Sequence, residues 1–217
     1  MEPITLFIIL ALIFSIVIHE VAHGFAADRL GDPTARLQGR LTLNPISHVD
    51  PLGSIIIPGL LVLTGAGILF GWAKPVPYNP YNLKNQRWGE AMVAGAGPAV
   101  NVLIALFFGL LIRFDVLLAF GGAEMVALAF YIVYINVLLA LFNMIPIPPL
   151  DGSKILRAFL PYKGMMAMQR FEAASAQYGF LFLFGFIFLF VFFLWPYFAA
   201  LLQSIVFLIT GQAPGIL

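Results

Sequence analysis

The sequence predicts an all-α polytopic membrane protein, and three observations predict it. Of the 217 residues, 62% are hydrophobic and only 10% charged, with a mean hydropathy of +1.00. Soluble domains carry about 45–50% apolar and about 25% charged residues. The apolar residues fall in runs of about 20, the length that crosses a hydrocarbon core. Proline- and glycine-rich breaks separate the runs, and no soluble domain, charged tail or internal repeat interrupts them. So few charges cannot coat a soluble core, which excludes an ordinary soluble enzyme and a disordered chain. A net charge of +1 offers no field for nucleic acid. With no cysteine there is neither a disulfide framework nor a thiolate metal site.

Taken in order, residues 4–27 form the first run, long enough to span. Met1-Glu2-Pro3 supplies no positive n-region and no small-residue cleavage site follows, so the run reads as a span and not a signal peptide. Residues 28–50 are polar, 51–70 apolar, 71–90 mixed, and 91–112 apolar again. After a connector at 113–122 comes a run over 125–145, then a proline-rich break and a polar stretch to about residue 177. The last apolar stretch, 178–210, is interrupted at Trp195-Pro196 and reads as two spans, or one span plus an interfacial helix. The expectation is one integral-membrane domain over 1–217, with a core at 4–160 and five to six hydrophobic segments.

Charge decides how the segment 51–70 runs. If it crosses, the basic residues divide four against seven. If it dips in and returns, Arg29, Arg36, Arg40, Lys74, Lys84, Arg87, Lys154, Arg157, Lys163 and Arg170 share one side, with only Arg113 opposite. The positive-inside rule favours the second arrangement and puts those ten in the cytoplasm. Pro58-Gly59 and Gly65-Ala66-Gly67 suit such a re-entrant path.

Near the end of the first span lies His19-Glu20-Val21-Ala22-His23. Residues i and i+4 share a helix face, so both imidazoles reach one ion, and Glu20 beside them is placed as general base. A lone histidine on an apolar face is usually a hydrogen-bonded core residue. With three histidines and five glutamates in the chain, however, chance yields this pattern only about once in a thousand such sequences. Ionisable groups inside a membrane helix are also costly, about 2.5–3.5 kcal/mol each at its centre.

A tetrahedral catalytic zinc needs a third protein ligand. The extension that would supply it in sequence is absent, because Ala26 and Arg29 stand where Gly and His are required. Asp151, after Pro146, Pro148 and Pro149, is the outstanding candidate, its alternative being a helix-ending Asp-Gly turn. Parity adds a check. His19 and His23 lie toward the end of the first span and Asp151 just after a later one, so they meet at one depth only if both spans run in the same direction. That needs an odd number of crossings between the two spans, and the re-entrant arrangement has one.

HEVAH in a membrane helix, Gly95-Ala96-Gly97-Pro98-Ala99-Val100-Asn101 and Asn143 followed by Leu150-Asp151-Gly152 together resemble the site-2 protease family of intramembrane zinc metalloproteases. His48-Val-Asp-Pro-Leu-Gly53 and Phe70-Gly-Trp-Ala-Lys-Pro-Val-Pro77 resemble its compact prokaryotic branch. The resemblance covers residues 10–160. It implies one zinc per chain, held by His19, His23 and Asp151, with Glu20 as base. It also implies cleavage of transmembrane segments of single-span, membrane-anchored proteins, from a multi-pass position in the prokaryotic inner membrane with the site toward the cytoplasm. The PDZ or CBS domain of many relatives finds no room here. Oligomeric state stays open.

Other positions carry readings of their own. Gly95 and Gly97 suit close helix packing. Asn101 and Asn143, and more weakly Asn136, either position the scissile carbonyl or its oxyanion or bond a neighbouring helix. Residues 71–77 suit an exposed β-like edge strand, with Trp72 and Lys74 as substrate contacts, because Pro75 and Pro77 remove donors only at alternate positions. His48 reads as a loop-packing residue, or as one that supports a ligand or reversibly blocks the open metal position. A metal or solute transporter would need ligands strung across the membrane or repeat-related halves, and neither occurs. An inactive helix-binding scaffold would have lost Glu20 or Asp151, and both are present.

Overall fold

The computed structural model describes residues 3–63 and 71–212. The Gly65-Ala66-Gly67 part of the 51–70 segment lies outside the described residues. Eight α-helices are described: α1 (Pro3–Arg29), α2 (Thr34–Leu37), α3 (Ile57–Leu63), α4 (Gln86–Arg113), α5 (Val116–Asn143), α6 (Asp151–Phe159), α7 (Tyr162–Leu189) and α8 (Trp195–Thr210). π-helical turns at Pro51–Ile56 and Phe190–Leu194 lead into α3 and α8.

Four helical stretches among the described residues are long and apolar enough to cross a membrane: Pro3–Arg29, Gln86–Arg113, Val116–Asn143 and Leu181–Thr210. That is fewer than the five to six hydrophobic segments of the sequence reading, for two reasons. The stretch 178–210 runs as one helical span of 30 residues from 181, because a π-helical turn carries the helix past Pro196. Proline is tolerated there because it falls in the first turn of α8. The segment from Pro51, for its part, is helical among the described residues over Pro51–Ile56 and Ile57–Leu63, short of the length that crosses. Its two ends lie together: Trp72 N–H donates to Gly53 O at 3.1 Å, and Ser54 Oγ donates to Trp72 O at 2.8 Å.

α4 is the central helix, flanked by α1, α5, α6 and α8. Away from the site, α4, α5 and α8 bury Ala105, Ile112, Phe130, Val133, Leu202 and Val206 together. Gly109 brings α8 close, since a Cβ there would strike Ile209. At that end Arg113 Nη1 donates to Leu208 O at 2.5 Å. Large apolar side chains such as Leu103, Phe107 and Leu208 remain exposed on the outer faces, as lipid-facing positions should.

Among the described residues no strand occurs, so 71–77 is not the edge strand expected from sequence. The segment is extended, but its inner edge is already paired. Trp72, Lys74 and Val76 donate their N–H groups to Gly53 O, His48 O and Glu20 Oε2 respectively. Arg40 Nη2 donates to Lys74 O and Pro75 O. The donors that the prolines spare point inward, into the protein.

Candidate metal centre

The site is built where the end of α1 meets α4 and the start of α6. Ser15, His19, His23 and Ala27, buried at four-residue intervals, form one stripe of α1 that faces its neighbours. The chain reaches α6 through Pro146, Pro148 and Pro149, with extended backbone at Leu150, so Asp151 enters in the first helical turn. Gly152 follows by necessity, because a Cβ there would collide with the carbonyl oxygens of Met144 and Ile145. The side chains of α6 and α4 are then bolted together. Arg157 pairs with Glu90 and Glu172, while Arg87 donates to Ala158 O and Leu160 O at 2.7 and 2.8 Å.

His19 Nε2 and His23 Nε2 lie 3.0 Å apart, and each faces Asp151 Oδ2, at 3.3 and 3.2 Å. All three side chains are buried. A tetrahedral zinc with bonds near 2.0–2.1 Å holds its donor atoms about 3.3 Å apart. The three donors therefore stand at the spacing the ion requires, and two imidazoles with one carboxylate are a ligand set zinc takes. Burial pushes the Asp151 carboxyl up, but hydrogen bonds and charge from His19 and His23 outweigh it and hold the group below its ordinary range. The ionised carboxylate is the form in which an aspartate binds a metal ion.

The remaining nitrogens are also engaged. His23 Nδ1 donates to Val93 O at 2.6 Å. His19 Nδ1 meets Asn101 Oδ1 at 2.5 Å, and Asn101 Nδ2 donates to Asn136 Oδ1 at 2.8 Å. Such outer partners fix the ring orientation of a ligating histidine. Gly97 does more than allow helices to approach. A Cβ there would sit 2.5 Å from His23 Nε2 and 2.6 Å from His19 Nε2, so its missing side chain is the space the imidazoles occupy.

A cavity of about 160 Å³ opens beside His19, His23 and Asp151, lined by Glu20, Val76, Tyr78, Asn143 and Lys154 among others. Glu20 is partly exposed, and its Oε2 accepts the Val76 N–H at 2.9 Å. Asn143 lines this cavity and donates to Leu139 O at 3.0 Å. Asn101 does not line it; the residue is fully buried behind His19. Trp72 and Lys74 are not in its lining either. His48 is buried in a short turn, its Nε2 donating to Thr42 O at 2.9 Å, outside the metal-ligating group.

Lys154 and Tyr78 were missed by sequence reasoning. The Lys154 ammonium lies 5.4 Å from the Tyr78 ring centroid. Burial pulls its pKa down, but Tyr78, Asp151 and Glu90 raise it on balance, so it stays a cation. The available signal was its place three residues after Asp151, on the same helix face.

A model of peptidase family M50 matches residues 118–186, the stretch holding Asn136, Asn143, Asp151 and Lys154. YwhC of Bacillus subtilis (strain 168), named as a zinc metalloprotease, is 39% identical over 183 residues, covering 81% of this chain and 77% of YwhC. Rip2 of Mycolicibacterium smegmatis (strain ATCC 700084 / mc(2)155), named likewise, is 33% identical over 171 residues, or 78% of this chain and 61% of Rip2. The chain thus spans less than two thirds of Rip2. MJ0611 of Methanocaldococcus jannaschii, also named as a zinc metalloprotease, is 41% identical over 66 residues, 30% of this chain and 32% of its own length. No solved structure matches the chain. The similarity to YwhC, the family model and the buried group of two histidines and an aspartate agree, and the chain belongs to peptidase family M50, the site-2 protease family of membrane zinc metalloproteases.

Proposed function

We propose that this zinc metalloprotease cleaves transmembrane segments of single-span, membrane-anchored proteins, at a site on the cytoplasmic side of a prokaryotic inner membrane. The observation that carries the reading is the donor triad of His19, His23 and Asp151, buried at the end of a membrane-length helix with Glu20 beside it. Zinc, when bound, supplies the Lewis acidity that makes water a nucleophile near neutral pH. Glu20 takes the proton of the attacking water on its carboxylate and hands it to the departing amide nitrogen. The Val76 N–H engages Oε2 and so orients the carboxylate, leaving Oε1 for that proton. Asn143 and Lys154, lining the same cavity, provide donors for the oxyanion that develops at the scissile carbonyl.

The distribution of basic residues supports the orientation. Arg113 lies at the end of α4 remote from the metal-ligating group, and the other ten Lys and Arg residues fall in the segments that surround or follow it. The bonds between Gly53, Ser54 and Trp72 support re-entry of the intervening segment, which leaves and returns at one place.

The test is Glu20→Gln in purified protein, with zinc content and proteolysis of a single-span protein measured together. The expected result is unchanged zinc with cleavage reduced by at least about 100-fold, the scale of a lost general base. Equal cleavage by the variant would remove the mechanism.

A further inference from the structure

Behind His19 a chain of hydrogen bonds runs through the interior of the bundle. His19 Nδ1 meets Asn101 Oδ1 at 2.5 Å, Asn101 Nδ2 meets Asn136 Oδ1 at 2.8 Å, and Asn136 Nδ2 meets both Ile132 O and Ser15 Oγ at 2.9 Å. Asn101 and Asn136 are fully buried, and Ser15 and His19 are each only 5% exposed. Two amides so deep in a membrane protein cost free energy unless every link is satisfied.

The chain has a direction, and one atom sets it. Ile132 O is a backbone carbonyl and can only accept, so the NH2 of Asn136 must face it. The Asn136 oxygen then faces Asn101, which must answer with its own NH2. The Asn101 oxygen is left facing His19, so Nδ1 of that ring carries the hydrogen and Nε2 presents a lone pair toward His23 and Asp151. His23 reaches the same state in one step, through Val93 O.

We infer that Asn136 is a positioning residue for zinc. Anchored on Ile132 O, it fixes which end of the Asn101 amide faces His19, and thereby which nitrogen of His19 is free to ligate. Without the anchor the Asn101 amide can turn over, offer its NH2 to Nδ1, and move the ring hydrogen to Nε2, where it blocks the ligand position. The inference rests on the zinc-peptidase reading of the site but acts on metal affinity and not on the cleavage step.

The test is zinc affinity of the full-length protein by chelator competition. Asn136→Leu is expected to weaken binding by about 10–100-fold, the usual size for losing an outer partner of a ligand. Asn101→Asp has two acceptor oxygens and no wrong end, so the double variant Asn136→Leu/Asn101→Asp is expected to return to within about threefold of wild type. A merely structural Asn136 predicts no such rescue. Unchanged affinity in Asn136→Leu, or a double variant as weak as the single, would overturn the inference. Should Asn136→Leu fail to fold, Asn136→Ala alone and with Asn101→Asp decides by the same two criteria. Wild-type protein that binds zinc at this site yet cleaves no single-span protein would instead count against the protease reading and leave the inference standing.

Discussion

Gly97 shows how one missing methyl group can define a metal site. Its backbone carries α4 past α1 so closely that the volume of a Cβ is taken by the rings of His19 and His23. Gly97→Ala is therefore expected to displace both imidazoles while leaving the helix intact, since alanine is the better helix former. Zinc affinity should fall by about 10–100-fold and cleavage with it, measured by chelator competition beside proteolysis. Gly95→Ala gives the contrast, because a Cβ there meets only Ile155, at 3.9 Å, and zinc affinity should hold. The sequence makes Gly97 a packing glycine, which is half of its role. Small residues at helix contacts announce close approach but not what fills the gap, and here a pair of imidazoles from another helix fills it.

At the scale of elements, Asp32 ties the turn after α1 to the segment that leads into α4. It accepts from Thr34 Oγ1 at 2.5 Å, Asn82 Nδ2 at 2.8 Å and Asn79 N–H at 2.6 Å. Burial alone would push this carboxyl up, but the hydrogen bonds from Thr34, Asn82 and Asn79 outweigh it and hold it below its ordinary 3.8. A folded value below the unfolded one means the stabilisation is full above pH 3.8 and is lost as pH falls through the lowered value. Asp32→Ala should cost about 1.5–3 kcal/mol near neutral pH, with the gap to wild type closing below about pH 4 in melts of detergent-solubilised protein. A gap that does not narrow at all as pH falls below 3.8 would mean the cost is packing and not charge.

The site itself was the most legible element. Helical spacing puts His19 and His23 on one face, and crossing parity selects a topology in which Asp151 can meet them; the donors indeed stand 3.0–3.3 Å apart. The segment 71–77 was legible in composition but not in direction. Alternating prolines leave donors at alternate positions, yet nothing in the spelling says which edge faces the protein. The structure spends the donors of Trp72, Lys74 and Val76 on internal acceptors, one of them the Glu20 carboxylate. Asp32 and Lys154 were less legible for a similar reason, since Asn79 and Asn82 for the one and Tyr78 for the other lie in distant segments that only the folded chain brings near.

For the whole molecule, charge is scarce, and one carboxylate and two imidazoles are buried together in a group suited to a metal ion. That centre draws its donors from the N-terminal helix and from a helix that follows three membrane-length stretches. A bound ion there joins chain positions 23 and 151 as a cross-link, and cross-links stabilise most when they close long loops. Free zinc at about 100 times its dissociation constant should add about 2.7 kcal/mol to folding stability over the chelator-treated protein, read as a shift in the unfolding midpoint. No shift on adding zinc would mean that the folded protein does not bind the ion in preference to the unfolded chain. The ion is then a fastener as well as a reagent: chelation loosens the grip of the third ligand's helix on the first, and a protein stripped of metal becomes more easily degraded as well as inactive.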